Sequence, residues 1–256
     1  MSSDLARPIR RNVLGRRAVA RPALTAALAI GILLVAGCSS GSAGRPAPSS
    51  GLSLTASAKA KTMLADAKVA AGRATSVQVT GPLTLGPSTA TVDLTLAGTG
   101  VGGTVRIGGG QAEVRAVGGQ LYVRGDAAFW DALVKGTGKQ FAAQWVRASG
   151  TTAAEFGALL RFVPVEAWLD GVAPSAADRA EVPGQVVNGV STVGLQGLAS
   201  AADVTVYVST GKPAYPMLVR TAGGGAVTLS RWGAPVKALV APTGSMVDAT
   251  RVSLRG

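Results

Sequence analysis

The chain has no histidine and a single cysteine, Cys38. The first absence removes Ser-His-Asp and Cys-His nucleophile systems, histidine metal sites and histidine acid–base chemistry. The second excludes a disulfide within the chain. Aromatic residues are also scarce, 4% of the total, so any core must be built chiefly from aliphatic side chains. Acids are the minority charge, 13 Asp+Glu against 25 Lys+Arg, for a net charge of +12. What is abundant is glycine, with 35 residues, and hydrophobic residues, 47% of the chain.

The excess of positive charge is concentrated at the start. Arg7, Arg10, Arg11, Arg16, Arg17 and Arg21 face one acid, Asp4, and the apolar run from Ala23 to Val35 follows directly. A basic segment before an apolar run of this length is the order of a secretory signal peptide, and the run falls short of the roughly 20 residues a spanning helix needs. Leu34-Val35-Ala36-Gly37-Cys38 resembles the bacterial lipobox, in which small residues before a cysteine allow its thiol to be diacylated and the peptide to be cut in front of it. The expectation is a signal peptide over 1–37, lipidation at Cys38, and anchorage on the extracytoplasmic face of the cell membrane. Arg16-Arg17 invites a twin-arginine export route, but only Val19 or Ala20 stands where a hydrophobic residue is usual, so the general secretory route is the default. Residues 1–37 hold six arginines and one aspartate, which leaves 19 basic and 12 acidic residues from Cys38 onward, a net +7. That charge suits an anionic membrane surface or acidic envelope glycolipids. Nucleic acid is not an expected partner, because the basic residues are scattered without interleaved aromatics.

Residues 38–52, the cysteine and then SSGSAGRPAPSSGL, have the composition of a flexible tether. The rest, 53–256, is long enough for one domain with a sizeable core. Ala56, Ala60, Met63, Leu64, Ala67 and Ala71 recur at helical spacing, with Thr55 as an N-cap and Gly72 as a stop. From Ser76 the period becomes two. Strands are expected over Ser76–Leu85, Thr91–Ala97, Thr104–Ile107, Ala112–Val117 and Gly119–Arg124. Phe141, Trp145 and Val146 suggest a short helix. Thr152-Ala153-Ala154-Glu155 has the pattern of a capping box before Phe156, Leu159, Leu160 and Phe162, and Pro164–Asp170 reads as a further helix with proline in its first turn and Gly171 after its end. Strands resume at Gln185–Val187 and Val190–Leu195, joined by the hairpin signal Asn188-Gly189, then at Asp203–Ser209, Met217–Thr221, Ala226–Arg231 and Ala234–Val240. This order implies an α+β domain with a long antiparallel sheet curled around or beside its helices.

Chemical constellations are weak. Gly98-Thr99-Gly100-Val101-Gly102-Gly103 fits the dinucleotide pattern but leads into strand-like sequence, so it is rejected. Glu166 and Asp170 stand four apart and read as a solvated helix face beside Arg161 and Arg179. Asp126 and Asp131 flank Phe129-Trp130 as a turn and surface pair. Trp130, Trp145, Trp168 and Trp232 read as core residues first and as bilayer or lipid-headgroup contacts second. No catalytic residue, metal site or cofactor is expected, and an enzyme is the least favoured class. The inward positions Val77, Val79, Val92, Leu94, Leu96, Val105, Ile107, Val114, Leu121 and Val123 read, on periodicity alone, as a packed sheet–helix core. A bent sheet with so few aromatics also leaves volume that a lipid could occupy.

Four features together resemble a known family: Val227-Thr228-Leu229-Ser230-Arg231-Trp232-Gly233-Ala234-Pro235-Val236, the upstream Val187-Asn188-Gly189-Val190-Ser191-Thr192-Val193, Leu121-Tyr122-Val123 after Gly118-Gly119, and the Ala-rich opening helix before Ser76-Val77. These are similar to the LppX/LprA/LprF/LprG envelope lipoproteins of mycobacteria and relatives, of LolA/LolB-like fold. The resemblance implies a strongly bent antiparallel half-barrel with helices on its concave side, enclosing an apolar cavity for acylated lipids or glycolipids. It implies carriage of those lipids across the envelope, with a membrane lipid transporter as a partner, and makes the ten aliphatic positions above lipid-cavity candidates. The glycine-rich stretches Gly98–Gly110 and Gly223-Gly224-Gly225 depart from the family. The alternative is a lipoprotein without ligand, acting as an envelope scaffold or signalling partner.

Overall fold

Ser88–Ala97 shows how the sheet is made. Its even-numbered positions Ala90, Val92, Leu94 and Leu96 are buried, while the positions between them are exposed or half-buried, the period-two pattern of a strand with one covered face. In the computed structural model, Gly51–Gly256 forms one compact unit. The residues described are 54–248, except 86–87, 150–152, 154–155, 158, 176, 200–203 and 222–224. The expected signal peptide, Cys38, the tether, the Thr152/Glu155 capping box, Asp203 and Gly223-Gly224 all lie outside them.

Helix α1, Ala58–Arg73, opens the described fold. Its N-cap is Ser57 rather than Thr55: the Ser57 Oγ accepts from the Ala60 N–H at 3.1 Å, satisfying one of the orphan donors of the first turn. Strands β1 (Ser76–Leu85), β2 (Ser88–Ala97), β3 (Gly100–Ile107), β4 (Gly110–Val117) and β5 (Gln120–Gly125) form an antiparallel meander. Two short helices follow, α2 (Ala127–Leu133) and α3 (Gly138–Phe141). Trp145 and Val146, expected in a helix, instead begin β6 (Trp145–Ala148), which pairs with β5. Its alternation buries Val146 and Ala148 and turns Arg147 outward, so strand periodicity prevails there. Helical residues around Phe156 and Leu159 lead to α4, Val165–Val172. Pro164 is its N-cap, and Gly171 falls inside it rather than after it.

The second set of strands is β7 (Arg179–Val182), β8 (Val186–Val187), β9 (Val190–Gly197), β10 (Val204–Ser209), β11 (Pro216–Thr221) and β12 (Ala226–Ser230). The β8–β9 turn is Asn188-Gly189 with φ of 49° and 78°, left-handed at both positions as a two-residue hairpin requires. β12 returns to pair with β1 and joins the two sets into one sheet, in the order β6-β5-β4-β3-β2-β1-β12-β11-β10-β9-β7. The short strand β13 (Met246–Asp248) runs parallel to β6 at one edge, and β7 forms the other. The sheet is curled and unclosed, an α+β half-barrel. Gly103, at the centre of β3, has φ 154°, and a Cβ there would lie 2.1 Å from the Asp93 carbonyl oxygen. Only glycine permits this close approach of β2 and β3.

Ala234–Val240 is not the expected strand. Pro235 has no N–H to give a ladder, and the segment after β12 is an irregular strap. It is fastened by Ser76 Oγ–H to the Ala234 carbonyl at 2.6 Å and crosses β3, where a Cβ on Gly102 would meet the Leu239 side chain at 2.6 Å. Part of the glycine-rich stretch thus makes room for the strap, and Gly98–Gly103 is a turn followed by strand, with no helix after it.

Candidate functional site

The inward face of the half-barrel carries one continuous apolar core, to which α1 contributes Ala60, Leu64, Ala67 and Ala71. Val77, Val79, Val92, Leu94, Leu96, Val105, Ile107, Val114, Leu121 and Val123 all belong to it, each at most 5% exposed. Over β3 to β5 this core is roofed by aromatics. Phe129 and Trp130 of α2 sit edge to face at 5.5 Å, Trp130 lies 5.5 Å from Phe141, and Phe129 stacks on Phe156 at 6.3 Å. The roof is pressed onto the sheet: a Cβ on Gly110 would fall 2.0 Å from the Phe129 nitrogen, and one on Gly125 would fall 2.5 Å from the Phe129 ring.

Asp126 and Asp131 are both exposed, as expected of a surface pair, and they hold this roof in place. Asp126 is the N-cap of α2, accepting from the Phe129 N–H at 2.7 Å and from the Gln111 N–H at 3.0 Å. Asp131 Oδ1 accepts from the N–H groups of Gly136 and Gly138 at 3.1 and 2.7 Å.

Toward β11 and β12 the concavity is filled less completely, although Leu195, Val206, Val208 and Val219 are buried there in the same core. Between the ends of β1, β11 and β12 and the face of α4 lies a pocket of about 360 Å³, lined by Leu83, Phe162, Trp168, Val172, Val219 and Val227, with Pro82, Thr89, Thr221 and Gly225 completing its wall. Phe162 and Trp168 pack at 5.0 Å and form its helical side. Its volume lies at the lower end of the range for small-molecule sites, and an apolar lining with few polar groups is usual for them. Of the lining residues, the sequence marks only Trp168 as a possible lipid contact, while Phe162 stands there as a helix residue and Val227 and Gly225 as parts of motifs. Val77 and Leu96 border a smaller space of about 180 Å³ beside Val163, Val165 and Trp232.

The remaining tryptophans lie elsewhere. Trp130 is core. Trp232 stacks flat on Tyr215 at 4.9 Å and donates its indole N–H to the Pro216 carbonyl at 3.1 Å. Trp145 is flanked by the guanidinium groups of Arg115 and Arg124, 5.1 and 4.9 Å from its ring, and both arginines pair with Glu113.

Glu166 and Asp170 are both exposed, the solvated helix face expected, but they differ in what they touch. Asp170 receives the ammonium of Lys68, which is 4% exposed and also donates to the Ala173 carbonyl at 2.6 Å and Ser175 Oγ at 2.9 Å. Glu166 lies against Gly72. Lys68 could have been found from the sequence, because it interrupts the apolar stripe of α1 between Ala67 and Ala71. Arg179, expected at the surface, is 0% exposed. Burial pushes its guanidinium down from its ordinary value.

No protein-family model matches the chain, and no curated protein matches its sequence. Two solved structures are similar in fold. LprF from Mycobacterium bovis shares 15% identity, with 74% of this chain and 100% of that chain covered and a TM-score of 0.50. The lipoprotein LppX from Mycobacterium tuberculosis shares 16% identity over 70% of this chain and 97% of that one, with a TM-score of 0.46. The first likeness shows that the half-barrel of this chain is that of LprF.

Proposed function

We propose that the chain is an envelope lipoprotein of the LppX/LprA/LprF/LprG kind that binds acylated lipid in the open half of its half-barrel. The observation that carries the reading is the apolar pocket between α4 and the inward face of β11 and β12. A pocket walled chiefly by Leu83, Phe162, Trp168, Val172, Val219 and Val227, with Thr89 and Thr221 as its polar side chains, offers an acyl chain apolar contact, each methylene removed from water being worth about 0.8 kcal/mol. The LprF fold and the sequence resemblance support the same reading. Anchorage through Cys38 places the domain beside the membrane from which such a lipid would be drawn, and carriage across the envelope follows if loading and release occur at different faces.

The aromatic roof over β3 to β5 favours a second reading, a ligand-free scaffold, because there the inward side chains are met by protein. Mass spectrometry of a lipid extract from the full chain, purified from an actinobacterial-type host, separates the two. Acylated lipid at near-stoichiometric yield is expected, beyond the anchor that a Cys38→Ala variant lacks. Its absence from both wild type and variant rejects lipid binding.

A further inference from the structure

Arg179 is fully buried, and none of its guanidinium nitrogens has a hydrogen-bond partner among the described residues. A guanidinium carries five donors in a rigid fork and stays charged, so burying one without acceptors is strongly unfavourable. Of the described acids nearest in sequence and on the facing elements, Glu181 is engaged by Lys59 and Ser57, Asp178 by Lys61 and Asp170 by Lys68, and Asp66 of α1 is exposed to solvent.

The sheet register says where the side chain points. Arg179 and Glu181 share one face of β7, and Glu181 meets Ser57 and Lys59 at the start of α1, so this is the face that α1 covers. Arg179 stands opposite Gly197 of β9, which has no side chain to block it. Gly197 is one step beyond the Gln196–Thr205 pair and so faces Val204, and Val204 is opposite Thr221, a wall residue of the pocket. With strands about 4.8 Å apart, three steps along this row span about 14 Å, close to the depth of one leaflet in a bilayer core of about 30 Å.

We propose that Arg179 is a headgroup site: its guanidinium receives the carboxylate or phosphate oxygens of an anionic acylated lipid whose chain runs along the inward face to the pocket at Thr221 and Val227. This rests on the lipid-binding reading and adds the chemical class of the lipid. An oxyanion matches the guanidinium fork with two parallel N–H···O bonds.

The test uses the detergent-purified, delipidated full chain at pH 8, titrated separately with palmitate, hexadecanol and inorganic phosphate. Palmitate should bind at least tenfold more tightly than hexadecanol, which has the same chain and no charge. Arg179→Met should erase that preference, leave hexadecanol binding within twofold, and raise the melting temperature of the lipid-free protein, since an apolar side chain replaces a buried charge. Arg179→Lys, which keeps the charge and loses the fork, should show an intermediate preference. Equal binding of palmitate and hexadecanol by wild type, or a preference unchanged in both variants, overturns the headgroup site while leaving lipid binding intact. Failure of both amphiphiles to bind rejects lipid binding itself. Arg179-dependent binding of phosphate alone would then overturn the headgroup assignment, with the free ion as occupant.

Discussion

The two halves of the curled sheet solve the same problem in opposite ways. Over β3 to β5, glycines at 110 and 125 let α2 descend onto the strands, and Phe129, Trp130, Phe141 and Phe156 fill the concavity. Over β11 and β12, α4 stands off, and Phe162 and Trp168 wall a pocket instead. The chain has four Phe and four Trp in all, and half of these large rings are spent on one side. A bent sheet lined with short aliphatics is therefore not a cavity along its whole length; where the rings go decides which part is core.

The largest effect that sharpens this contrast is expected in the filled half. Phe129→Ala should destabilise the fold by about 3–5 kcal/mol, the usual cost of emptying a buried aromatic site, read by urea denaturation. A loss under about 1 kcal/mol would mean the roof is loose and the two halves do not differ.

Asp170→Asn comes next. It removes the negative charge facing the buried Lys68 ammonium and leaves only neutral acceptors, the new amide oxygen, the Ala173 carbonyl and Ser175 Oγ. Breaking a fully buried pair costs about 3–5 kcal/mol, and Asp170 is 54% exposed, so screening reduces the expectation to about 1–2 kcal/mol. Glu166→Gln, with no such partner, should stay within about 0.5 kcal/mol. Equal effects of the two variants would contradict the separation of Glu166 from Asp170.

The smallest effect concerns the outer surface. Burial alone would raise the Glu113 carboxyl, but hydrogen bonds from Arg115 and Arg124 outweigh it and hold the group below its ordinary value. A depressed carboxylate contributes stability that is present above the unfolded value, about 4.3, and is lost as pH falls through the folded one. Glu113→Gln should therefore cost about 0.5–1 kcal/mol at pH 7 and nothing once the wild-type carboxyl is protonated. Thermal melts of the two proteins from pH 7 to pH 2.5 should converge at the acid end.

Strands such as β2 and the Asn188-Gly189 hairpin were legible in the sequence because alternation and turn chemistry are local. The half-barrel itself came from the resemblance. Elements set by distant partners were not legible: β13 exists by pairing with β6, and β7 by pairing with β9. Helix α2 carried its signal in Asp126, three residues before Phe129, but so short a segment also reads as a turn. Arg179 was misread for the same reason that β7 was missed. Next to Asp178 in sequence it resembles a surface residue, and only the arrival of α1 on that face buries it.

The central claim is that lipid occupies the open half, and two tryptophan substitutions made in parallel test it most directly. Val227→Trp fills the pocket, and Leu94→Trp overfills packed core, where added volume costs roughly 1–3 kcal/mol. Lipid extracted per folded molecule, measured by mass spectrometry beside the melting temperature, should fall severalfold in Val227→Trp with the melting temperature nearly unchanged. In Leu94→Trp the melting temperature should drop while bound lipid per folded molecule stays at the wild-type level. Full lipid retention in Val227→Trp, or lipid lost from Leu94→Trp without loss of stability, would contradict the account.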